Sequence, residues 1–257
     1  MKRNYILGVL AILFVVIGLL GAIYLWRIYT RSPETMQQTS QLLHWFGNVN
    51  ELPEWSVDGG TRCPDAPMML PTSGYIGFVW DDSFYPGHRH SGLDIFSPDR
   101  ENNVTPIVAA HDGYLTREAT WKSTIIIRHP NFLDTLTNAQ RAHAENILVE
   151  DEQIWTYYTH MASADGETSY IAPDFPQGTY DVFVEAGTVI GYQGNWSGSR
   201  TGFTGLHLHF SIAKSNADGS YANESLIDNT YNPVPFFGLE EVMLSETQRL
   251  FRCAEKE

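Results

Sequence analysis

The chain has 257 residues, 43% of them hydrophobic, and a formal net charge of −14. That length suffices for one sizeable domain plus an appendage, and the apolar fraction is ordinary for a chain that buries a core. The acidic balance leaves no electrostatic footprint for nucleic acid, which excludes that class of partner. No repeat at a period of about 20 to 50 residues is visible.

The N-terminus carries the first signal. After Lys2 and Arg3, no charged residue occurs from Asn4 to Trp26. At ~1.5 Å rise per residue, Tyr5 to Trp26 as a helix would span roughly 33 Å, enough for a bilayer core of ~30 Å. Tyr5 at one end and Tyr24 and Trp26 at the other stand where membrane interfaces favour aromatic rings. A cleaved signal peptide would have a shorter apolar region, about 7 to 15 residues, followed by small residues. Here the run ends in Trp26-Arg27. Residues 1–31 are therefore expected to form one uncleaved transmembrane helix, an N-terminal membrane anchor. Lys2 and Arg3 nearly balance Arg27 and Arg31, so the positive-inside bias fixes no orientation. The strongly acidic remainder is compatible with export.

Residues 32–69 read as a spacer. A short amphipathic helix is expected near its start, with Met36, Leu42, Leu43 and Phe46 as the apolar positions. Gly and Pro then recur through residues 51–67, which argues against regular structure. Cys63 and Cys253 bracket almost all of the chain beyond the apolar segment. In an oxidising compartment they could form one bridge, the alternative being two unrelated thiols.

From about residue 70 the pattern becomes short strands between turns. Runs rich in Val, Ile, Thr, Tyr and Phe occupy residues 75–80, 105–110, 113–119, 123–129, 147–150, 154–161, 180–184, 188–194 and 206–213. Two stretches read as helix, residues 134–146 and residues 238–252. The fold class is thus all-β or β-dominated, a compact antiparallel sheet or sandwich over residues 70–240, followed by a C-terminal helix or tail over 241–257.

Two histidine-bearing motifs carry the chemistry. In "GLHLHF" strand alternation puts His207 and His209 on one face and Leu206, Leu208 and Phe210 on the other. Two adjacent imidazoles flanked by apolar residues favour a metal site over a solvated face. In "YPGHRHSGLDIF", residues 85–96, an extended chain would place His88, His90, Gly92 and Asp94 on one face, with Gly92 leaving room for an ion. Two histidines and one carboxylate around zinc, with a position left open for water, is a catalytic arrangement. Either His88 or His90 satisfies that pattern on spacing alone.

The series "HSGLDI", "TPIVAAHDGYL", "IIIRHP", "YYTHM", "VEAGTVIGYQG" and "TGLHLHF" resembles the lysostaphin/LytM-type zinc metallopeptidases, in order over roughly residues 70–240. The resemblance implies an antiparallel β domain with an open groove. It implies one Zn2+ ion held by His90, Asp94 and His209, with His160 and His207 as the catalytic histidines off the metal. It implies hydrolysis of peptide bonds in peptidoglycan stem peptides or cross-links, by a domain on the extracytoplasmic side of a bacterial cell membrane. Which of His160 and His207 serves as general base stays open. His129 is expected to be structural, and His44, His111 and His143 to be surface or packing residues.

One departure is an insertion over residues 131–153, longer than the ~2 to 5 residues a hairpin needs. Its possible helix and acidic run are expected to border the groove. The Gly/Ser-rich loop 195–205 is expected to form a groove wall. A different class of function also fits, a non-catalytic envelope module that binds cell-wall peptide or regulates another hydrolase. The full set of five residues favours catalysis. A cupin-like reading with His88 and His90 as ligands lacks the later Pro-x-Gly and lone histidine it needs.

Overall fold

β-Branched and aromatic runs pair as antiparallel strands because their side chains fill a pleated, half-buried surface. The computed structural model describes residues 13–23, 33–83, 88–146, 152–199, 202, 204–246 and 248–254. The strands are β1 (Ser56–Val57), β2 (Gly74–Phe78), β3 (Leu93–Phe96), β4 (Pro106–Val108), β5 (Gly113–Arg117), β6 (Ile125–His129), β7 (Ile154–Thr159), β8 (Thr179–Val184), β9 (Val189–Tyr192), β10 (His207–Ala213), β11 (Thr230–Tyr231), β12 (Leu239–Ser245) and β13 (Gln248–Cys253). Nine of them form one sheet in the order β1-β2-β3-β10-β7-β6-β5-β8, with β11 beside β10. β4 pairs with β9 and β12 with β13 as separate ribbons. The expected β-dominated antiparallel class is what the chain adopts.

Burial decides which face of each strand turns inward. Leu208, Phe210 and Ile212 of β10 join Leu93, Ile95, Ile125, Ile127 and Tyr158 in the main core, all fully buried. Each such side chain contributes about 1.5–3 kcal/mol by leaving water. With that face committed to the core, strand alternation sends His207, His209 and Ser211 to the other. β10 lies between β3 and β7, and its register pairs His209 with Asp94 on one side and with Thr159 on the other.

Three expectations need correction. Residues 32–69 are not a spacer. Helix α2 (Pro33–Asn48), the second helical segment after α1 (residues 13–23), lies on β2, and Trp45 stacks on Tyr75 with ring centroids 5.4 Å apart. Leu42 and Trp45 are buried, whereas Met36 and Leu43 are exposed, so the inward face is rotated from the predicted one. β1 then extends the sheet, and Cys63, Ala66 and Met68 enter the main core. These residues are buried singly along an irregular path, which no periodicity reveals.

Among the described residues the expected C-terminal helix is not formed. β12 and β13 pair as a hairpin instead, whose register places Leu239 opposite Cys253 and Val242 opposite Leu250. Cross-strand pairing and a disulfide outweigh the helix propensity of the Glu, Met and Leu residues here. Cys253 is bonded to Cys63 with an S–S distance of 2.04 Å, so the bridge that the sequence allowed is formed. A structural disulfide fits a chain that folds outside the reducing cytoplasm.

Of the expected anchor, only residues 13–23 are described. They are helical and expose their apolar side chains, Phe14 to 81%. No described helix is long and apolar enough to cross a membrane. The rest of residues 1–31 lies outside the described residues, as does the strand expected over 147–150.

Candidate metal centre

Three strands and one loop deliver five residues to the face of the sheet turned away from the main core. β3 supplies Asp94, β10 supplies His207 and His209, and the residue after β7 is His160. His90 comes from the loop before β3, which is not extended from residue 88 as the alternation argument assumed. Gly92 also has another purpose than making room for an ion. A Cβ there would overlap the Phe210 carbonyl and Ser211 Oγ, so the glycine lets the loop pass close against β10.

His90, Asp94 and His209 form a cluster whose ligand atoms lie within 4.8 Å of one another and could hold a metal ion. His90 Nε2 is 3.1 Å from Asp94 Oδ1 and 2.9 Å from His209 Nδ1, and His209 Nδ1 is 2.8 Å from Asp94 Oδ1. The Val79 carbonyl fixes the His90 tautomer: Nδ1 donates to it at 2.9 Å, which turns the Nε2 lone pair toward the cluster. His209 Nε2 lies 3.0 Å from Ser211 Oγ, a hydroxyl that can give or take the proton, so His209 Nδ1 can donate to Asp94 or offer a metal its lone pair. Two imidazoles and one carboxylate converging in a buried site are a donor set that suits zinc.

The charges agree with that reading. Burial opposes ionisation of Asp94, but His90 and His207 overcome it and hold the carboxyl well below its usual range. Burial likewise opposes protonation of His90, and the Asp94 charge reverses the balance and raises its pKa. His209 is lowered, by burial first, with Asp94 opposing.

His160 and His207 stand beside the cluster. Their ring centroids are 4.5 Å apart, and His160 is 6.1 Å from His209. His207 Nε2 lies 3.5 Å from Asp94 Oδ1, and its Nδ1 donates to the Gly205 carbonyl at 2.8 Å. His160 Nδ1 donates to the Trp196 carbonyl at 2.6 Å. Burial, with His207 and His209 nearby, pushes the His160 pKa down to about 3, so it is a neutral imidazole with Nε2 free to accept. Its backbone is left-handed at φ 76°, a conformation that costs a β-carbon-bearing residue about 1 kcal/mol or more. Gly194 packs so closely on the His160 carbonyl that a Cβ there would overlap it.

All five residues border a cavity of 880 Å³. His88 also lines it, as do Thr204 and Gly205 from the expected groove-wall loop. Arg200, Thr201 and Phe203 lie outside the described residues. The opposite wall was not anticipated. α2 contributes Thr39, Leu42, Leu43 and Phe46. The signal was present in the helical period of residues 36–46, but nothing in it says that the helix folds back over the groove.

The described part of the insertion goes elsewhere, and most of its acidic run, residues 149–151, lies outside the described residues. Its helix α3 (Asn138–Asn146) follows a single turn of 3-10 helix, and none of its described residues lines the cavity. Phe132 is fully buried against Phe236, Gln140 Nε2 donates to the Ala66 carbonyl at 3.0 Å, and His143 Nε2 donates to the Pro235 carbonyl at 2.7 Å. His129 is structural as expected, and His111 is buried against it and Phe132. His44 packs on Trp55.

No family model matches the chain, and no curated protein does. Solved structures do match. This chain resembles lysostaphin- and LytM-type peptidases. A protein named as the glycyl-glycine endopeptidase lytM of Ruminococcus gnavus is 19% identical over 56% of this chain, with a TM-score of 0.36. The match spans 44% of that protein's length. The catalytic domain of the antimicrobial peptidase lysostaphin from Staphylococcus simulans is 18% identical, covering 62% of this chain and 89% of its own, with a TM-score of 0.36. A zinc-containing peptidase from Vibrio cholerae is 16% identical, covering 65% and 40%, with a TM-score of 0.35.

Proposed function

We propose that the chain is a zinc-dependent endopeptidase that hydrolyses peptide bonds in peptidoglycan stem peptides or cross-links. It works on the extracytoplasmic side of a bacterial cell membrane, held there by its N-terminal apolar segment. The observation that carries this reading is the meeting of His90, Asp94 and His209 beside two further imidazoles in one open cavity.

His90 Nε2, Asp94 Oδ1 and His209 Nδ1 would hold the metal. When bound, zinc supplies Lewis acidity that polarises a carbonyl and acidifies water. His160 and His207 do the proton work. Both donate Nδ1–H to backbone carbonyls, which leaves both Nε2 atoms able to take a proton as water attacks. The imidazole that takes it becomes a donor, suited to steadying the oxyanion or protonating the leaving amine. The Trp196 and Gly205 carbonyls keep the two rings oriented through this exchange.

The test uses purified protein, its zinc content and defined peptidoglycans of differing stem and bridge composition. About one zinc per chain and mass-identified fragments from at least one peptidoglycan are expected. A protein that holds zinc yet releases no fragment from any of them would instead be a binding module.

A further inference from the structure

The loop that carries His90 is governed by a carboxylate outside the proposed catalytic set. The Asp82 side chain is only 11% exposed. Its Oδ2 accepts from the Val79 backbone N–H at 2.7 Å and from Arg249 Nη2 at 2.8 Å, and its Oδ1 accepts from Gln38 Nε2 at 2.8 Å. The backbone around it is closed as tightly. The His90 N–H donates to the Asp82 carbonyl at 2.7 Å, and the Asp81 N–H donates to the His90 carbonyl at 2.8 Å. The Val79 carbonyl takes the His90 Nδ1 proton. The segment Val79–Asp82 thus sets the main chain and the ring angle of a metal-site histidine, and Asp82 is its hub.

The partners of that hub come from remote parts of the chain. Gln38 belongs to α2, and Arg249 belongs to β13 near the C-terminus. The two elements are also tied directly, since Gln41 Nε2 of α2 donates to the Arg249 carbonyl of β13. The Arg249 guanidinium also lies over the Phe251 ring, 5.7 Å from its centroid, and 3.7 Å from Glu241 across the hairpin. A largely buried carboxylate that loses its cation is costly, and the loop around it would move to find water.

We propose that Asp82 and Arg249 are positioning residues for the metal. Their junction holds His90 in the ligand orientation, and the seating of α2 and of the β12–β13 hairpin sets how tightly the metal is held. This rests on the metal-site reading above. The same helix walls the cavity through Leu42 and Phe46, so a displaced α2 would change the groove and the metal affinity together.

The experiment measures zinc affinity of the full chain in detergent, by competition with a chromogenic chelator, with near-ultraviolet circular dichroism recording the fold. Arg249→Met, which keeps the apolar stem, is expected to weaken zinc binding about 10- to 100-fold, the range for groups that orient ligands. Arg249→Lys is expected to restore most of the loss. Gln38→Met leaves the ion pair intact and is expected to cost about 10-fold, the low end of that range, a milder arm should Arg249→Met fail to fold. Arg252→Gln breaks only the exposed Arg252–Glu240 pair on the same hairpin, so it should leave affinity unchanged. Zinc binding that is indifferent to both Arg249→Met and Gln38→Met overturns the proposal, as does an equal loss from Arg252→Gln. A parent protein that binds no zinc removes the metal-site reading itself, a different result from an indifferent variant.

Discussion

The molecule buries histidines in two places, and the two clusters are built differently. In one, His90 Nε2 and His209 Nδ1 face each other at 2.9 Å, and both lie within 3.1 Å of the same Asp94 oxygen. In the other, His111 and His129 meet edge to face at 5.5 Å, and every ring nitrogen has a partner outside the pair. His129 donates from Nδ1 to the Asp112 carbonyl at 2.7 Å and accepts at Nε2 from Thr156 Oγ1 at 2.9 Å. His111 donates from Nδ1 to the same carbonyl at 3.0 Å, and its Nε2 lies 3.3 Å from Thr135 Oγ1. Burial is common to both clusters, so burial is not the mark of a metal site. The mark is ligand atoms of two imidazoles and a carboxylate that converge on one point instead of each turning to a separate group.

The sharpest way to break the contrast is to remove one member from each side. Asp94→Ala or His209→Ala should abolish zinc binding and lower peptide hydrolysis by more than about 10⁴-fold, since both the ion and its chemistry go. His129→Asn should retain the full zinc content. If zinc content falls equally in all three, the two clusters are not distinct. The next largest effect separates the rings within the first cluster. His160→Ala should keep zinc and lower kcat by about 10²- to 10⁴-fold, the usual worth of a general acid or base. Loss of zinc from that variant would place His160 among the ligands instead.

The sequence showed one of these clusters and not the contrast. His207 and His209 could be placed on a shared face because β10 alternates cleanly against the core, with Leu208 and Phe210 fully buried. His90 could not be chosen over His88 by alternation, because an extended chain puts both on one face; the loop before β3 owes its actual path to Gly92. What was illegible is whatever depends on distant contacts. The Cys63–Cys253 bridge was open to a reading of the sequence, but the helix propensity of residues 238–252 gives no hint of the hairpin it joins or of the pairing of Arg249 with Asp82. The burial of Cys63, Ala66 and Met68 is likewise a tertiary fact, written in no local period.

A smaller effect acts on both clusters at once. The Cys63–Cys253 bridge joins positions 190 residues apart, and both histidine groups lie in the loop it closes. In the chain-entropy account, such a loop is worth about 5 kcal/mol, measured bridges usually giving less, about 2–4 kcal/mol. Reduction should therefore lower the urea midpoint of zinc-free and zinc-loaded protein alike. Midpoints that do not move would show that packing alone holds the ends.

The smallest and most selective test is pH. Burial, with His111 adding to it, pushes the His129 pKa down to about 3 from the ordinary 6.5. Between those values the unfolded chain binds a proton that the folded chain does not. Stability from this group is fully present above about pH 6.5 and declines as pH falls toward 3, at up to about 1.4 kcal/mol per unit. Zinc-free protein should show that slope in urea unfolding, and His129→Asn, which cannot titrate, should show a correspondingly shallower one. Adding zinc should leave the difference between the two slopes intact, because His129 turns no lone pair toward a metal. If zinc erased the difference, the second cluster would be coupled to the first, and the division between a binding pair and a packing pair would not hold.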